Sequence, residues 1–323
     1  MSLIRGKVKS SSLSKPAQDI LLASWRPGTR KQYDSYLHRW AKFCYDHEIN
    51  VYQPSVEQVV EFLTQLFQTG LGYSAINTAR SALSSIVTLA HVPLGEHPMI
   101  KRFLKGVFEL RPSLPKYSSI WDVNTLLLYL KKLAPLEKLS LKEISLKMTS
   151  LLCILTGQRC QTIHKIDISH IQHLPNMIRI TIKDTLKTTK PGRHIKPLEL
   201  LAYTNDPDLC IVRLFKEYLL RTSTLREGHT QLLISFQKPY KPVSKDTISR
   251  WVKATLKASG IDTEQFTAHS CRSASASATK NAGLSLVEIM KTAGWSNCTT
   301  FGKFYDKNII KDNYGHKVLE KFT

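Results

Sequence analysis

Apolar residues recur every three to four places through the first hundred or so positions, so this part of the chain reads as amphipathic helices. Tyr33, Tyr36, Leu37, Trp40, Phe43 and Cys44 form one stripe, preceded by Thr29 and Gln32 at the spacing of a capping box. Val56, Val59, Val60, Leu63, Leu66 and Phe67 form a second, opened by Ser55 with Gln58 and closed near Gly70. A third starts near Ser74 and places Ile76, Ala79, Leu83, Ile86 and Ala90 on one side, and a fourth helix is predicted from Pro98 to Leu110. Stripes of this kind are core packing.

The pattern changes after 111–117, where Pro112 and Pro115 mark a linker. Helices are predicted at 120–133 and 140–155. Ile178, Ile180 and Ile182 then alternate with Arg179, Thr181 and Lys183, which is the pattern of a half-buried strand. Pro191-Gly192 marks a turn, 194–200 is a candidate return strand, and 166–168 a candidate third. Ile248, Trp251, Val252 and Leu256 follow Ser244 at helical spacing as far as Gly260. A further helix is predicted over about 267–281, and Ser285 with Glu288 caps a short one that Gly294 ends. The expected fold is mainly α with a small β-sheet (α+β). Its parts are a flexible basic arm at 1–14, a helical domain at 15–110, a linker at 111–118 and a second domain at 119–323.

Composition then narrows the function. A formal charge of +21 over 323 residues favours a polyanionic partner, nucleic acid first. At 42% hydrophobic residues the chain can bury a sizeable core. Its six cysteines include no CxxC pair, which argues against a zinc ribbon or a secreted disulfide framework and suits a reducing compartment. The longest apolar run, 148–155, is too short to span a bilayer, and the basic N-terminus lacks the apolar stretch of a signal peptide. Arg26, Arg30, Lys31, Arg39 and Lys42 cluster around the first striped helix, as a solvated face or as a surface for backbone phosphates. The spacing of His164, His170 and His173 matches no common ligand pattern, so no metal site is expected.

Candidate chemistry lies in the last half of the chain. Arg159, Lys187, His269 and Arg272 are phosphate-directed donors, and Tyr305 offers an oxygen nucleophile. His269 and Arg272 are three apart and share one face of a helix. Lys187 falls between the strand and the Pro191-Gly192 turn, on a mobile hairpin, with Lys183 and Lys190 as competitors. No paired carboxylates stand among these groups. A cationic site with a tyrosine and no acids points to attack on a phosphodiester without a metal ion or other cofactor.

The segments Thr-Gly-Gln-Arg159, Leu-Lys187-Thr, Ala-His269-Ser-Cys-Arg272, Ala-Gly-Trp295 and Phe-Gly-Lys-Phe-Tyr305 resemble, in order and spacing, the tyrosine recombinase or phage integrase family. The resemblance runs from about Tyr117 to the C-terminus and looks closest to DIRS-like and Crypton-like recombinases of eukaryotic mobile elements. It implies a core-binding, DNA-clamping domain followed by a catalytic domain. It further implies that Tyr305 forms a 3′-phosphotyrosyl bond and leaves a free 5′-hydroxyl. Arg159 and Arg272 would hold the non-bridging oxygens, His269 would donate to the phosphate or accept the tyrosine proton, and Lys187 would protonate the leaving oxygen. Trp295 stands where the family carries histidine or tryptophan.

The implied partners are double-stranded DNA and a homotetramer on two DNA sites, monomeric or dimeric when free, and the expected location is the nucleus or another intracellular, reducing compartment. Helices bearing Arg80 and Arg250 would face the grooves, and the tail from Asp306 to Thr323 would dock onto a neighbour. Two features depart from the pattern. Tyr305 stands ten residues after Trp295 where the best-known members have nine, although the Phe304-Tyr305 context favours it over Tyr314, and Thr162 stands where many members place an acid. The rival readings are a type IB topoisomerase-like nicking and resealing activity and a catalytically silent DNA-binding protein.

Overall fold

The computed structural model describes residues 2–9, 12–89, 92–114, 116–192, 194–295, 299, 301–302 and 305–310. Contacts divide the chain into two units, Met1–Leu114 and Pro115–Thr323.

The first unit comprises α1 (Ser2–Lys9), α2 (Lys15–Ala23), α3 (Pro27–Asp46), α4 (Val56–Gln68), α5 (Tyr73–Leu83), a two-stranded hairpin of β1 (Thr88–Leu89) and β2 (Val92–Pro93), and α6 (Pro98–Leu110). The apolar stripes meet in one core that includes Leu37, Trp40, Val59, Phe62, Ile76, Leu83, Ile100 and Leu104. Trp40 is its centre. The indole is fully buried, lies edge-on to Phe62 at 5.1 Å, and donates its N–H to Val51 O at 3.0 Å. The Ser55–Gln58 pair forms a complete capping box at the head of α4. Ala90, expected on the third stripe, lies outside the described residues.

Two features of this unit differ from the sequence reading. Helix α3 begins at Pro27 rather than at a Thr29 cap, because proline has the φ for a first helical position and needs no N–H partner there. The segment 1–14, expected as a flexible arm, holds helix α1. Its Ile4 is 1% exposed within the core, and Lys7 Nζ donates to Ile86 O at 2.9 Å. Two turns of helix are too short to show a periodicity, and this one is held by tertiary packing.

The second unit runs β3 (Ser119–Ile120), α7 (Val123–Lys132), α8 (Leu141–Thr156), α9 (Cys160–His164), β4 (Ile171–Leu174), β5 (Met177–Ile180), β6 (Leu198–Leu201), α10 (Ile211–Thr222), α11 (Lys245–Ala258), α12 (Ser270–Asn281), α13 (Leu286–Ala293) and β7 (Asn308–Ile309). Helix α8 is its axis. It packs against α10, α11 and α12, which is why its buried residues run around the whole helix rather than along one stripe. Strands β4, β5 and β6 form an antiparallel sheet in which Ile178 faces Leu200 and Ile180 faces Leu198, all four buried.

The third strand is therefore Ile171–Leu174 and not 166–168, where Asp167 makes only an isolated bridge to Gln231. Helix α10, which the sequence reading did not single out, buries Ile211, Val212, Leu214, Phe215 and Tyr218. The mainly helical α+β class holds. Truncating Trp40 to alanine should destabilise the first unit by about 3–5 kcal/mol through lost burial and the cavity left behind. Urea denaturation followed by circular dichroism measures this, and a loss below about 1 kcal/mol would place the ring outside the core.

Candidate active site

The site is assembled from four chain segments that meet at the end of α8. That helix stops at Gly157, whose φ of 57° turns the chain sharply, and where a Cβ would sit 3.4 Å from the Ala293 side chain. The next two residues are then pinned. Gly157 O accepts from Arg272 Nη1, and the buried Gln158 donates through Nε2 to Thr292 O at 2.8 Å. Arg159 follows as the half-buried N-cap residue of α9. His269 is the N-cap residue of α12, with Arg272 at its third position.

Trp295 follows the α13 capping box of Ser285 and Glu288 and the left-handed Gly294 that ends the helix. Tyr305 is held from behind by α12, since its carbonyl accepts from Ser277 Oγ at 2.9 Å and its N–H donates to Phe301 O at 2.8 Å.

Three aromatic or cationic groups stack in this space. The Arg272 guanidinium lies 4.0 Å from the Trp295 ring centroid and 5.5 Å from that of Tyr305, and the two rings are 4.7 Å apart. The Tyr305 hydroxyl is 3.2 Å from His269 Nε2, a hydrogen bond whose direction depends on the tautomer. Lys187 is exposed in the turn closed by Leu186 and Thr189, where Thr189 Oγ1 accepts from Leu186 N at 2.9 Å. Its charge is one of those that lower the His269 pKa.

The electrostatics are one-sided. Burial, then Arg272, Arg159, Lys187 and Lys116, push the His269 imidazole down to about 4. One side of this residue is open to solvent, which screens part of that push, and the direction leaves the ring neutral at pH 7. Burial and then Arg159 lower Arg272 to about 9, while Tyr305 draws it back up, so the guanidinium stays charged. Arg272 is 1% exposed, yet among the described residues its Nε and Nη2 have no hydrogen-bond partner, and neither has the buried Trp295 Nε1. Each orphaned donor costs on the order of 1–3 kcal/mol. A phosphate, rich in acceptor lone pairs and negatively charged, is the group that such donors fit.

Arg272, Trp295 and Tyr305 pack against one another, His269 touches Tyr305, and the charges of Arg159 and Lys187 act on His269. Sequence reasoning missed Gln158, Ser277 and Lys116. Gln158 lies inside a quoted motif, but its partner is 134 positions away; the other two carry no local signal. Thr162 is buried in α9, with its N–H on Arg159 O at 2.8 Å. Phe304, Tyr314 and the tail from 311 onward lie outside the described residues.

The residues expected to meet DNA divide into two groups. Arg26, Lys31 and Arg39 are exposed at the start of and along α3, and Arg250 is exposed on α11 with one contact to Thr247 Oγ1 at 3.0 Å. Arg30 and Arg80 are half-buried and use guanidinium donors within the fold, although Arg80 Nε has no hydrogen-bond partner among the described residues. Arg30 donates to Trp25 O at 2.7 Å and Leu22 O at 2.6 Å, satisfying carbonyls at the end of α2. Arg80 donates to Asn77 Oδ1 at 2.6 Å and lies flat on Gly95, where a Cβ would come within 2.2 Å of it. Among the described residues no group of three or more metal-ligating side chains occurs, and no helix is long and apolar enough to cross a membrane.

The site thus sets a buried arginine and an indole behind a tyrosine that touches histidine, on a helical unit with two small sheets. The family model described as "Phage integrase family" matches residues 122–309, more than half of the chain. The chain belongs to that family, and it is a tyrosine-type DNA recombinase or integrase acting in site-specific recombination. Among solved structures it is similar to a lambda integrase dimer bound to a COC′ core site (18% identity, 95% of this chain and 77% of that chain, TM-score 0.54). It is also similar to XerH site-specific recombinase bound to palindromic difH substrate (16%, 76% and 67%, TM-score 0.53). A third likeness is to the Tn1549 transposon integrase in complex with circular intermediate DNA (11%, 100% and 98%, TM-score 0.53). At these identities the likeness bears on the fold. No curated protein matches the chain.

The lowered His269 makes a signed prediction. The unfolded imidazole, near 6.5, binds its proton more readily than the folded one, so stability falls as pH drops from about 6.5 towards 4. The His269→Gln variant should lose that part of the acid sensitivity, and the wild-type ring should titrate near 4 by NMR. A ring that titrates at 6.5 or above would overturn the electrostatic picture.

Proposed function

We propose that Tyr305 cleaves one DNA strand by attacking its phosphate, forming a 3′-phosphotyrosyl bond and releasing a 5′-hydroxyl, and that the reversal of this step on a second duplex rejoins the strands. The observation that carries the reading is the set of orphaned buried donors, Arg272 Nε and Nη2 and Trp295 Nε1, beside a tyrosine hydroxyl already on an imidazole. Neutral His269 can take the phenolic proton as the oxygen attacks. Arg159 and Arg272 hold the non-bridging oxygens and meet the charge that builds there. Lys187, on its exposed turn, protonates the leaving 5′ oxygen. A phenolate is a fair leaving group, so the energy of the broken phosphodiester is kept in the link and no nucleotide is consumed.

Two duplexes cut on both strands require four active tyrosines, hence a homotetramer on two DNA sites, with the tail as a docking element. The +21 charge and the free thiols among the described cysteines support work on DNA in the nucleus or another reducing compartment. The sequence resemblance supports a mobile-element origin of the DIRS-like or Crypton-like kind. Each unit presents exposed cations for backbone phosphates, Arg26, Lys31 and Arg39 in one and Arg250 in the other.

The decisive experiment is SDS-resistant capture from a library of nicked duplexes of random sequence. Wild type should yield a covalent DNA adduct. Tyr305→Phe should yield none while binding the selected DNA within about twofold, and Arg159→Ala should slow adduct formation by about 10²–10³. Equal capture by Tyr305→Phe would sink the assignment, and no capture by wild type would favour the silent DNA-binding reading. For the binding surface, Arg39→Ala should reduce the slope of log affinity against log salt by about one. Arg30→Ala should instead lower the melting temperature, and the reverse pattern would show that the two arginines had been assigned the wrong way round.

A further inference from the structure

Residues 117–121 contact the chain next to each member of the His269–Tyr305 pair, by different means. Their side chains grip the turn that presents His269. Trp121 Nε1 donates to Ser270 Oγ at 2.8 Å, Tyr117 Oη lies 2.9 Å from Thr267 Oγ1, and the Thr267 N–H donates to Tyr117 Oη at 3.3 Å. The Tyr117 and Phe266 rings pack at 5.5 Å. Their backbone holds the chain just after Tyr305. Strand β3 pairs in parallel with β7, Ser119 opposite Asn308 and Ile120 opposite Ile309, and Ile120 O accepts from Ile310 N at 2.6 Å.

We infer that 117–121 is a strap that sets the distance between His269 and Tyr305, with Trp121 as its positioning residue for His269. This rests on the proposed roles of those two residues, and the strap itself touches no reacting atom. His269 needs such an outside hold, because it is the N-cap residue of α12 and its side chain makes no capping bond there. The adjacent Ser270 is fully buried and Trp121 is 4% exposed, so their hydrogen bond is shielded from water. An indole N–H is a single donor on a rigid plate, and it fixes Ser270 in place rather than following it. The 3.2 Å contact of His269 with Tyr305 sits at the outer limit of useful proton transfer, where a displacement of about 1 Å can cost about 10²-fold. Two anchors on one short segment hold both ends of that contact.

The test is Trp121→Phe, made in wild type and in His269→Ala. In wild type it should slow adduct formation by about tenfold or more, with DNA affinity changed less than twofold. In His269→Ala the same change should leave the residual rate unaltered, since Trp121 then has nothing to position. An equal loss in both backgrounds would show a merely structural role and overturn the inference. Ser270→Ala should reproduce the wild-type effect, and combined with Trp121→Phe it should be no worse than either alone. A readout independent of strand cleavage is the NMR titration of His269, which Trp121→Phe should move upward towards 6.5. An unmoved midpoint in a folded variant defeats the strap. If wild type forms no adduct at all, the proposed function fails and the titration still decides the strap. Should Trp121→Phe not fold, Tyr117→Phe and Ser270→Ala carry the same comparison.

Discussion

The buried guanidinium of Arg272 is the constraint around which the catalytic unit is organised. A charged group with 1% exposure is expensive to bury, and Arg159, which lies close enough to lower its pKa, is another cation and no counter-ion. The fold offsets part of the cost in two ways. One donor goes to Gly157 O, and the flat face rests on the Trp295 ring at 4.0 Å. Among the described residues the remaining donors find no partner, and the positive charge is crowded. Several local features exist to keep that arrangement in place: the left-handed Gly157, the Gln158–Thr292 bond and the cap at Gly294. An anion bound there would relieve that stored cost, as proposed above, and sites that violate the usual rules of burial are where function is commonly found.

The same crowding explains the state of His269. Cations on several sides favour a neutral imidazole, which is the form able to accept a phenolic proton. Tyr305 meets it through a hydroxyl whose own backbone is secured by Ser277 and Phe301. The chemistry and the electrostatics therefore share one cause. A carboxylate placed among these groups would pair with the arginines and pull the histidine pKa up, weakening both its readiness to accept a proton and the demand for a phosphate.

Much of the fold was legible in local pattern. The stripe of α4 and the capping boxes of Ser55 with Gln58 and of Ser285 with Glu288 stand where their residues place them, because a cap and an amphipathic face are set by neighbours within one or two turns. What failed were short or context-dependent pieces. Helix α1 has too few residues to show a period, and the third strand of the sheet was placed at 166–168 because two isoleucines alternate there while their hydrogen-bond partners lie elsewhere. Helix α10 was missed although it carries an ordinary apolar stripe of Ile211, Val212, Leu214, Phe215 and Tyr218. Arg30 and Arg80 read as surface cations, since nothing in the sequence says that carbonyls of α2 or the open face of Gly95 would claim them.

By itself the chain of residues determined the family, the ordered set of cations with Tyr305, and the neighbourhood of His269 and Arg272, all of which rest on residue type and short spacing. Their convergence was settled by folding, because the contacts that produce it join positions far apart. Gly157 meets Arg272, Gln158 meets Thr292, His269 meets Tyr305 and Trp121 meets Ser270, at separations of 115, 134, 36 and 149 residues. No periodicity encodes such pairs. They follow from the packing of α8 against α12 and from β3 lying beside β7, which bring the ends of distant segments to one place.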